Sequence, residues 1–398
     1  MSQATFAKGH IESTRARVIR TDSKWLLIAQ FFVFLIGGLI LLEPILSLAG
    51  VAEEEVLEID EKTGWTLMPG RTFTYRTEGY SRSTINSLGM RDVERTVAKP
   101  ANTYRIAVLG CSLTEGKQVD LDKTYCQLLE KRLNKGNSPV KYEVLNFAVS
   151  AYSLGQEYLR LKHKALQFKP DLVIFTARPN SLLFMGPTLK TGFLHSPPLF
   201  GVLPDGTLFE DHNKQKMWLA SADGIRTKNC HWLRRNSRLW GLAGRCVLSI
   251  DEFYDATVIH LRKLWSGEFS VEQTAKNDTE KKLSNNRNSK FRPEMVFLGR
   301  VAEAVLKAAK NDCQKADCKF VLAYLPASEK YRDPAEREIF ESIAQRQKLN
   351  FIDFNPEFDR LEKEGNNNFY VVVHFSKAGN EAVEKYLYRQ LVLQDLLK

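Results

Sequence analysis

Arg105-Ile106-Ala107-Val108-Leu109-Gly110-Cys111-Ser112-Leu113-Thr114 is an apolar strand that stops abruptly in a small-residue turn carrying a serine. An α/β fold presents a nucleophile at such a place. The turn lifts the hydroxyl out of the sheet and leaves neighbouring backbone N–H groups open to an oxyanion. Strand-glycine-turn sequences also occur where nothing reacts, so the stretch acquires meaning only from its surroundings.

Downstream of it, helical and strand patterns alternate. Tyr125, Leu128, Leu129 and Leu133 repeat at helical spacing, with Asp122 the expected N-cap. Strands are expected at Tyr142–Phe147, Asp171–Phe175, Lys319–Leu325 and Asn350–Asp353, and helices at Leu154–Phe168, Phe297–Lys310, Ala335–Lys348 and Lys377–Leu391. Such alternation specifies a three-layer α/β/α sandwich with a mainly parallel sheet. Ligands in these sheets bind beyond the carboxyl ends of the strands, where Ser112 falls. Residues 182–295 break the rhythm as an insertion. It contains a hairpin-like stretch around Ser196-Pro-Pro198 and Pro204-Asp-Gly206, and an amphipathic helix at Trp232–Leu248. Residues 270–292, rich in Asn, Lys, Glu and Ser, are expected to be disordered.

The run Trp25–Leu42 holds eighteen residues without a charge, and as a helix it rises ~27 Å, close to the thickness of a hydrocarbon core. Lys8, Arg15, Arg17, Arg20 and Lys24 precede it, whereas Glu53, Glu54, Glu55, Glu58, Asp60 and Glu61 follow. Positive-inside bias therefore predicts a cytoplasmic tail (1–24), one transmembrane helix (25–45), an extracytoplasmic linker that packs on the domain (46–100) and the domain itself (101–398). Ser47-Leu48-Ala49 resembles a cleavage site, but the apolar run exceeds the ~7–15 residues of a signal peptide, which favours an uncleaved inner-membrane anchor.

The net charge of +10 lies partly in the tail and the low-complexity segment, with no basic-aromatic platform, so nucleic acid is not the expected partner. Six cysteines are compatible with an oxidising compartment. Cys313 and Cys318, flanking a short loop, are the best candidate pair. Cys230 and Cys246 are poor partners, since a helix between them would hold them ~24 Å apart. No His or Cys cluster has metal-ligand spacing, and neither metal nor cofactor is expected.

A serine nucleophile needs a base. Of the seven histidines, His10 lies before the anchor, His163 sits between lysines, and His195, His212, His231 and His260 belong to the insertion. His374 follows Phe369-Tyr-Val-Val-Val373 and precedes the last helix, a position from which an imidazole reaches the strand-end crevice. The order of these parts, Gly110-Cys111-Ser112-Leu113, Asn146-Phe-Ala-Val-Ser-Ala-Tyr152, Asn180 and His374, resembles the SGNH/GDSL hydrolases over roughly residues 63–398. Asn86-Ser-Leu-Gly-Met-Arg-Asp92, Asn236-Ser-Arg-Leu-Trp240, Leu325-Pro326 and Ile352-Asp353 resemble a membrane-anchored branch of that family. An α/β-hydrolase elbow would need glycine two residues after the serine, where Thr114 stands.

The resemblance implies that Ser112 is the nucleophile and His374 its base, with the oxyanion held by the backbone N–H of Ser112 and Ala151 and by the Asn180 side chain. It implies an ester hydrolase or acyl transferase acting on acyl groups of a cell-envelope glycan or lipid, with envelope-assembly proteins as further partners. The chain also departs from the family pattern. Cys111 replaces an aspartate, Ala151 a glycine, Arg178-Pro179-Asn180-Ser181 a Gly-x-Asn-Asp sequence, and Val371 the aspartate that orients the histidine. A backbone carbonyl or one of Asn366, Asn367 and Asn368 would then hold Nδ1–H, leaving a Ser-His dyad without a carboxylate. The rival expectation is a catalytically silent glycan-binding or scaffolding protein. A third, a domain that only mediates protein contacts, has no motif behind it.

Overall fold

In the computed structural model, described residues are 3–49, 56–136, 139–185, 197–222, 224–229, 237–240, 242 and 293–398. They fall into two compact units, one drawn from residues 1–53 and 233–259, the other from 54–232 and 260–398.

In the first unit, α1 (Gln3–Leu48) contains the apolar stretch Lys24–Leu46, whose mean hydropathy of 2.5 and length suffice to cross a membrane. Near its end the Glu43 carboxylate accepts hydrogen bonds from the Arg238 and Leu239 amides and from the Ser237 hydroxyl. A few residues of the predicted insertion thus fall in the unit of this helix rather than in the domain, their donors matching the Glu43 carboxylate. The rest of the expected helix at 232–248, the segment 270–292, Cys230 and Cys246 lie outside the described residues.

The second unit begins with two antiparallel hairpins, β1 (Leu57–Asp60) with β2 (Gly64–Leu67) and β3 (Thr72–Tyr75) with β4 (Ser81–Thr84). Thr72-Phe-Thr-Tyr alternates as a half-buried strand should, with Phe73 inside. The Trp65 indole donates to the Ser150 carbonyl, and Gln156 to that of Thr63, so the hairpins are fastened to the domain.

The chain then winds β5 (Thr103–Leu109), α2 (Ser112–Glu115), α3 (Tyr125–Leu133), β6 (Lys141–Asn146), α4 (Leu154–His163), β7 (Leu172–Ala177), the hairpin β8 (Leu199–Val202) and β9 (Leu208–Asp211), and α5 (Asn213–Ala220). After the insertion come α6 (Pro293–Lys315), β10 (Lys319–Tyr324), α7 (Pro334–Arg346), β11 (Asn350–Asp353), α8 (Asn355–Lys363), β12 (Tyr370–Val371), β13 (His374–Phe375) and α9 (Lys377–Leu393). Five strands form a parallel sheet in the order β6-β5-β7-β10-β11.

Both faces of that sheet are covered, and the strand sequences obey it. On β10, Phe320, Leu322 and Tyr324 join α4, α6 and α7 in one core, while Val321 and Ala323 point into the other core with α3, α8 and α9. Two buried faces are why these strands read as continuous apolar runs. The expected three-layer sandwich is thus the observed one.

Two local expectations need correction. Asp122 does not cap α3: it sits in a 3₁₀ turn, Leu121–Lys123, and pairs with Lys123, while the extended Thr124 accepts the Gln127 amide. Helix α8 was not expected, because Phe358 and Leu361 are its only large apolar residues, and Phe358 is fully buried.

Candidate functional site

Strand order reverses between β5 and β7: the chain leaves β5 for β6 on one side and returns to β7 on the other. Such a switch point opens a crevice at the carboxyl ends of the strands. Ser112 follows β5, Ala151 follows β6 and Asn180 follows β7, so three loops meet there. They line a cleft of about 460 Å³ together with His374.

The turn after β5 is shaped by packing. A Cβ on Gly110 would lie 2.3 Å from Thr176 Oγ1 and 2.5 Å from Thr114 Oγ1, so only glycine lets the strand pass into α2. Below it, Tyr125 donates to Thr114 Oγ1 at 2.9 Å, and Thr176 Oγ1 donates to the Leu109 carbonyl. The α2 carbonyls are held by Arg91 of the Asn86-Ser-Leu-Gly-Met-Arg-Asp92 stretch. Its buried guanidinium donates to the Glu115, Gly116 and Val119 carbonyls at 2.9, 2.8 and 2.6 Å. Burial lowers this guanidinium to about 10. Asp92 accepts the Asn146 amide and the Arg95 guanidinium, and burial pushes its carboxyl up to about 6.

Two buried carboxyl groups fix the other loops. Glu115 Oε2 accepts the Ser150 amide and hydroxyl, each at 2.6 Å, which places Ala151 in a left-handed turn with φ 63°. Glu336, on α7, accepts the Asn180 amide at 2.5 Å and the Leu182 amide at 2.7 Å. Desolvation raises the Glu336 carboxyl to about 7 against the pull of those two amides. Among the described residues, the Ser112 and Ala151 amides and the Asn180 side-chain amide carry no hydrogen bond, so three donors remain open at the cleft.

His374 lies on β13, not on a free loop; the β12–β13 hairpin pairs it directly with Val371. Its Nε2 is 2.9 Å from Ser112 Oγ. Its Nδ1 is 2.5 Å from Glu78 Oε2, a residue 296 positions away in sequence. The expectation that a backbone carbonyl or Asn366, Asn367 or Asn368 would hold Nδ1 is therefore wrong. A carboxylate is present, delivered by the tip of the β3–β4 hairpin. There Gly79 has φ 96° and a Cβ on it would meet the Gln118 carbonyl at 2.6 Å, so the tip can lie down only with glycine beside Glu78. Glu78 can only accept, so Nδ1 carries the proton and Nε2 is left as acceptor for the serine hydroxyl.

Cys111 is buried and does not line the cleft, and its sulfur accepts Arg178 Nε at 2.9 Å. Among the described residues no group of His, Cys, Asp and Glu could hold a metal ion. Chemically, the site joins a hydroxyl, an imidazole and a carboxyl group in series, facing three open donors.

No protein-family model matches the chain, and no curated protein matches it. Among solved structures it is similar to the acetyl xylan esterase AlAXEase, at 12% identity over 72% of this chain and 98% of that one, with a TM-score of 0.36. It is also similar to a catalytic mutant of the acetylxylan esterase Axe2 from Geobacillus stearothermophilus (10% identity, 72% and 94% covered, TM-score 0.38). The esterase EstA from Pseudoalteromonas sp. is a further match (10% identity, 74% and 99% covered, TM-score 0.36). At such identities and scores, what the site does is decided by its own residues.

Proposed function

We propose that the protein is an SGNH-type ester hydrolase or acyl transferase, with Ser112 as nucleophile, His374 as its base and Glu78 as the carboxylate that orients the base. One observation carries this reading: the unbroken series Ser112 Oγ, His374, Glu78, with links of 2.9 and 2.5 Å, at the meeting point of three loops.

Ser112 Oγ attacks the acyl carbon while its proton passes to His374 Nε2. The oxyanion lies against the Ser112 and Ala151 amides and Asn180 Nδ2, each donor being worth about 10²–10³ in rate at such sites. Collapse breaks the ester C–O bond, and the departing alkoxide takes the proton from the imidazolium, leaving an acyl-serine. Water, or a sugar hydroxyl, then attacks with His374 again as base. The acid or new ester departs and Ser112 regains its proton. Glu78 stabilises the imidazolium in both halves without itself taking the proton.

The apolar helix is read as a single-pass inner-membrane anchor with its basic flank in the cytoplasm, which puts the domain in the periplasm beside acylated envelope glycans or lipids. The silent-module alternative drew its motive from four departures, at Cys111, Ala151, Arg178-Pro179-Asn180-Ser181 and Val371, and Glu78 beside His374 answers the last of them. The test is labelling of the full-length protein with a serine-directed fluorophosphonate. Ser112 is expected to be modified in the wild type and no label taken up by Ser112→Ala; an unlabelled, folded wild type that also releases no acid from 4-nitrophenyl acetate would sink the proposal.

A further inference from the structure

Two cations, Lys117 and Arg178, line the cleft, and among its described lining residues there is no carboxylate. Lys117 lies 3.2 Å from the buried Glu115, so its charge is largely matched. Arg178 is different. Its Nε donates to Cys111 Sγ at 2.9 Å, its Nη1 to the Pro179 carbonyl at 2.9 Å, and its plane lies over the Phe184 ring at 4.5 Å. Among the described residues Nη2 carries no hydrogen bond. Three contacts therefore hold the guanidinium of this cleft-lining side chain and leave Nη2 without a hydrogen bond.

Two carboxyl groups lie behind it and, against desolvation, favour its charged form without hydrogen-bonding to it. Glu157 is fully buried with Oε2 unpartnered; burial raises its carboxyl, and the neighbouring Arg178 charge pulls the other way. Glu336 is occupied by the Asn180 and Leu182 amides. No carboxylate hydrogen-bonds to this guanidinium, and its planar fork suits a carboxylate or phosphate. Tyr75 and Tyr331 line the same cleft.

Resting on the acyl-ester reading of this site, we infer that the ester substrate is an anionic sugar whose carboxylate or phosphate is bound by Arg178, which makes Arg178 a specificity-determining residue. The substrate class would be O-acylated acidic saccharides rather than neutral glycans.

The test uses the full-length protein and three matched probes: methyl 3-O-acetyl-β-glucuronoside, methyl 3-O-acetyl-β-glucoside and the 6-phosphate of that glucoside. The wild type is expected to favour one anionic probe over the neutral one by about tenfold or more in kcat/KM, the usual worth of a charge-assisted hydrogen bond. Which anionic probe wins separates carboxylate from phosphate. Arg178→Gln should bring the ratio close to one, and Arg178→Lys should keep part of it. Calorimetric binding to Ser112→Ala reads the same preference without turnover. Tighter binding of an anionic probe with no hydrolysis by the wild type would retain this inference and discard the esterase reading. Hydrolysis of all three probes at similar rates would do the reverse. Equal binding of all probes, binding of none, or an anionic preference that survives in folded Arg178→Gln overturns the inference.

Discussion

Replacing Glu78 by glutamine tests the one part of the site that no sequence motif announces. Gln keeps the shape and offers an amide oxygen to Nδ1–H, so the tautomer of His374 is retained and only the charge is lost. The charge centres of carboxylate and imidazolium lie ~4 Å apart, which at an effective dielectric of about 20 is worth about 4 kcal/mol. The two side chains are 19% and 17% exposed, so solvent screens part of that. With ~1.4 kcal/mol per tenfold, kcat is expected to fall roughly 10²–10³-fold. Glu78→Ala removes the oxygen as well, frees the ring to turn, and should approach the ~10⁴ loss seen when a triad carboxylate is removed. The assay is initial-rate hydrolysis of 4-nitrophenyl acetate by the detergent-solubilised full-length protein, with thermal melting as a check on folding. A folded Glu78→Gln protein retaining more than about a tenth of wild-type kcat would refute the assignment of Glu78 to the catalytic series.

Three further outcomes are expected. Glu336 is raised from its ordinary range to about 7 in the folded state, so the native protein binds the proton more tightly than the unfolded chain; stability should fall as pH rises from about 4.5 to 7. Urea unfolding at pH 5 and 7.5 is expected to show that slope in the wild type and less of it in Glu336→Gln. Val372 holds φ 57° at the tip of the β12–β13 hairpin while 66% exposed. Glycine there should raise stability by up to about 1 kcal/mol, and an unchanged or lower melting temperature would contradict the strain argument. Cys313 and Cys318 are buried free thiols whose sulfurs hydrogen-bond one another. In an oxidising medium they should close a six-residue loop and gain about 2 kcal/mol; thiol counting before and after oxidation, with melting curves, checks both points.

How much of this was legible in the sequence depends on the range of the interaction concerned. Strands β5, β6, β7 and β10 were readable because each is buried on both faces, and largely apolar runs bounded by turns have few other uses, whereas the edge strand β11 offers only Phe351-Ile352. The Ser112 turn was readable because Gly110 and its neighbours are local. His374 could be singled out by position alone, since it follows an apolar run and precedes a capped helix. Helix α8 and the Thr124 cap were missed because a short polar helix and a preceding 3₁₀ turn leave weak periodic signals.

Glu78 was beyond reach for a different reason. It sits in a polar, turn-rich stretch, and the only local hint is the Glu78-Gly79 pair between two short alternating runs. Nothing in that pair names His374 as its partner. The sequence by itself determined the layered α/β architecture, the apolar N-terminal helix and the strand-end position of Ser112, because periodicity and turn chemistry act over a few residues. Only the tertiary structure decided that His374 reaches Ser112, and that the carboxylate missing at Val371 arrives from a hairpin 296 residues away. That contact depends on how the β3–β4 hairpin packs on the domain, through the Ser81 hydroxyl to the Lys117 carbonyl and Gly79 against Gln118. Such packing is a sum of many weak long-range terms that no single stretch of sequence carries.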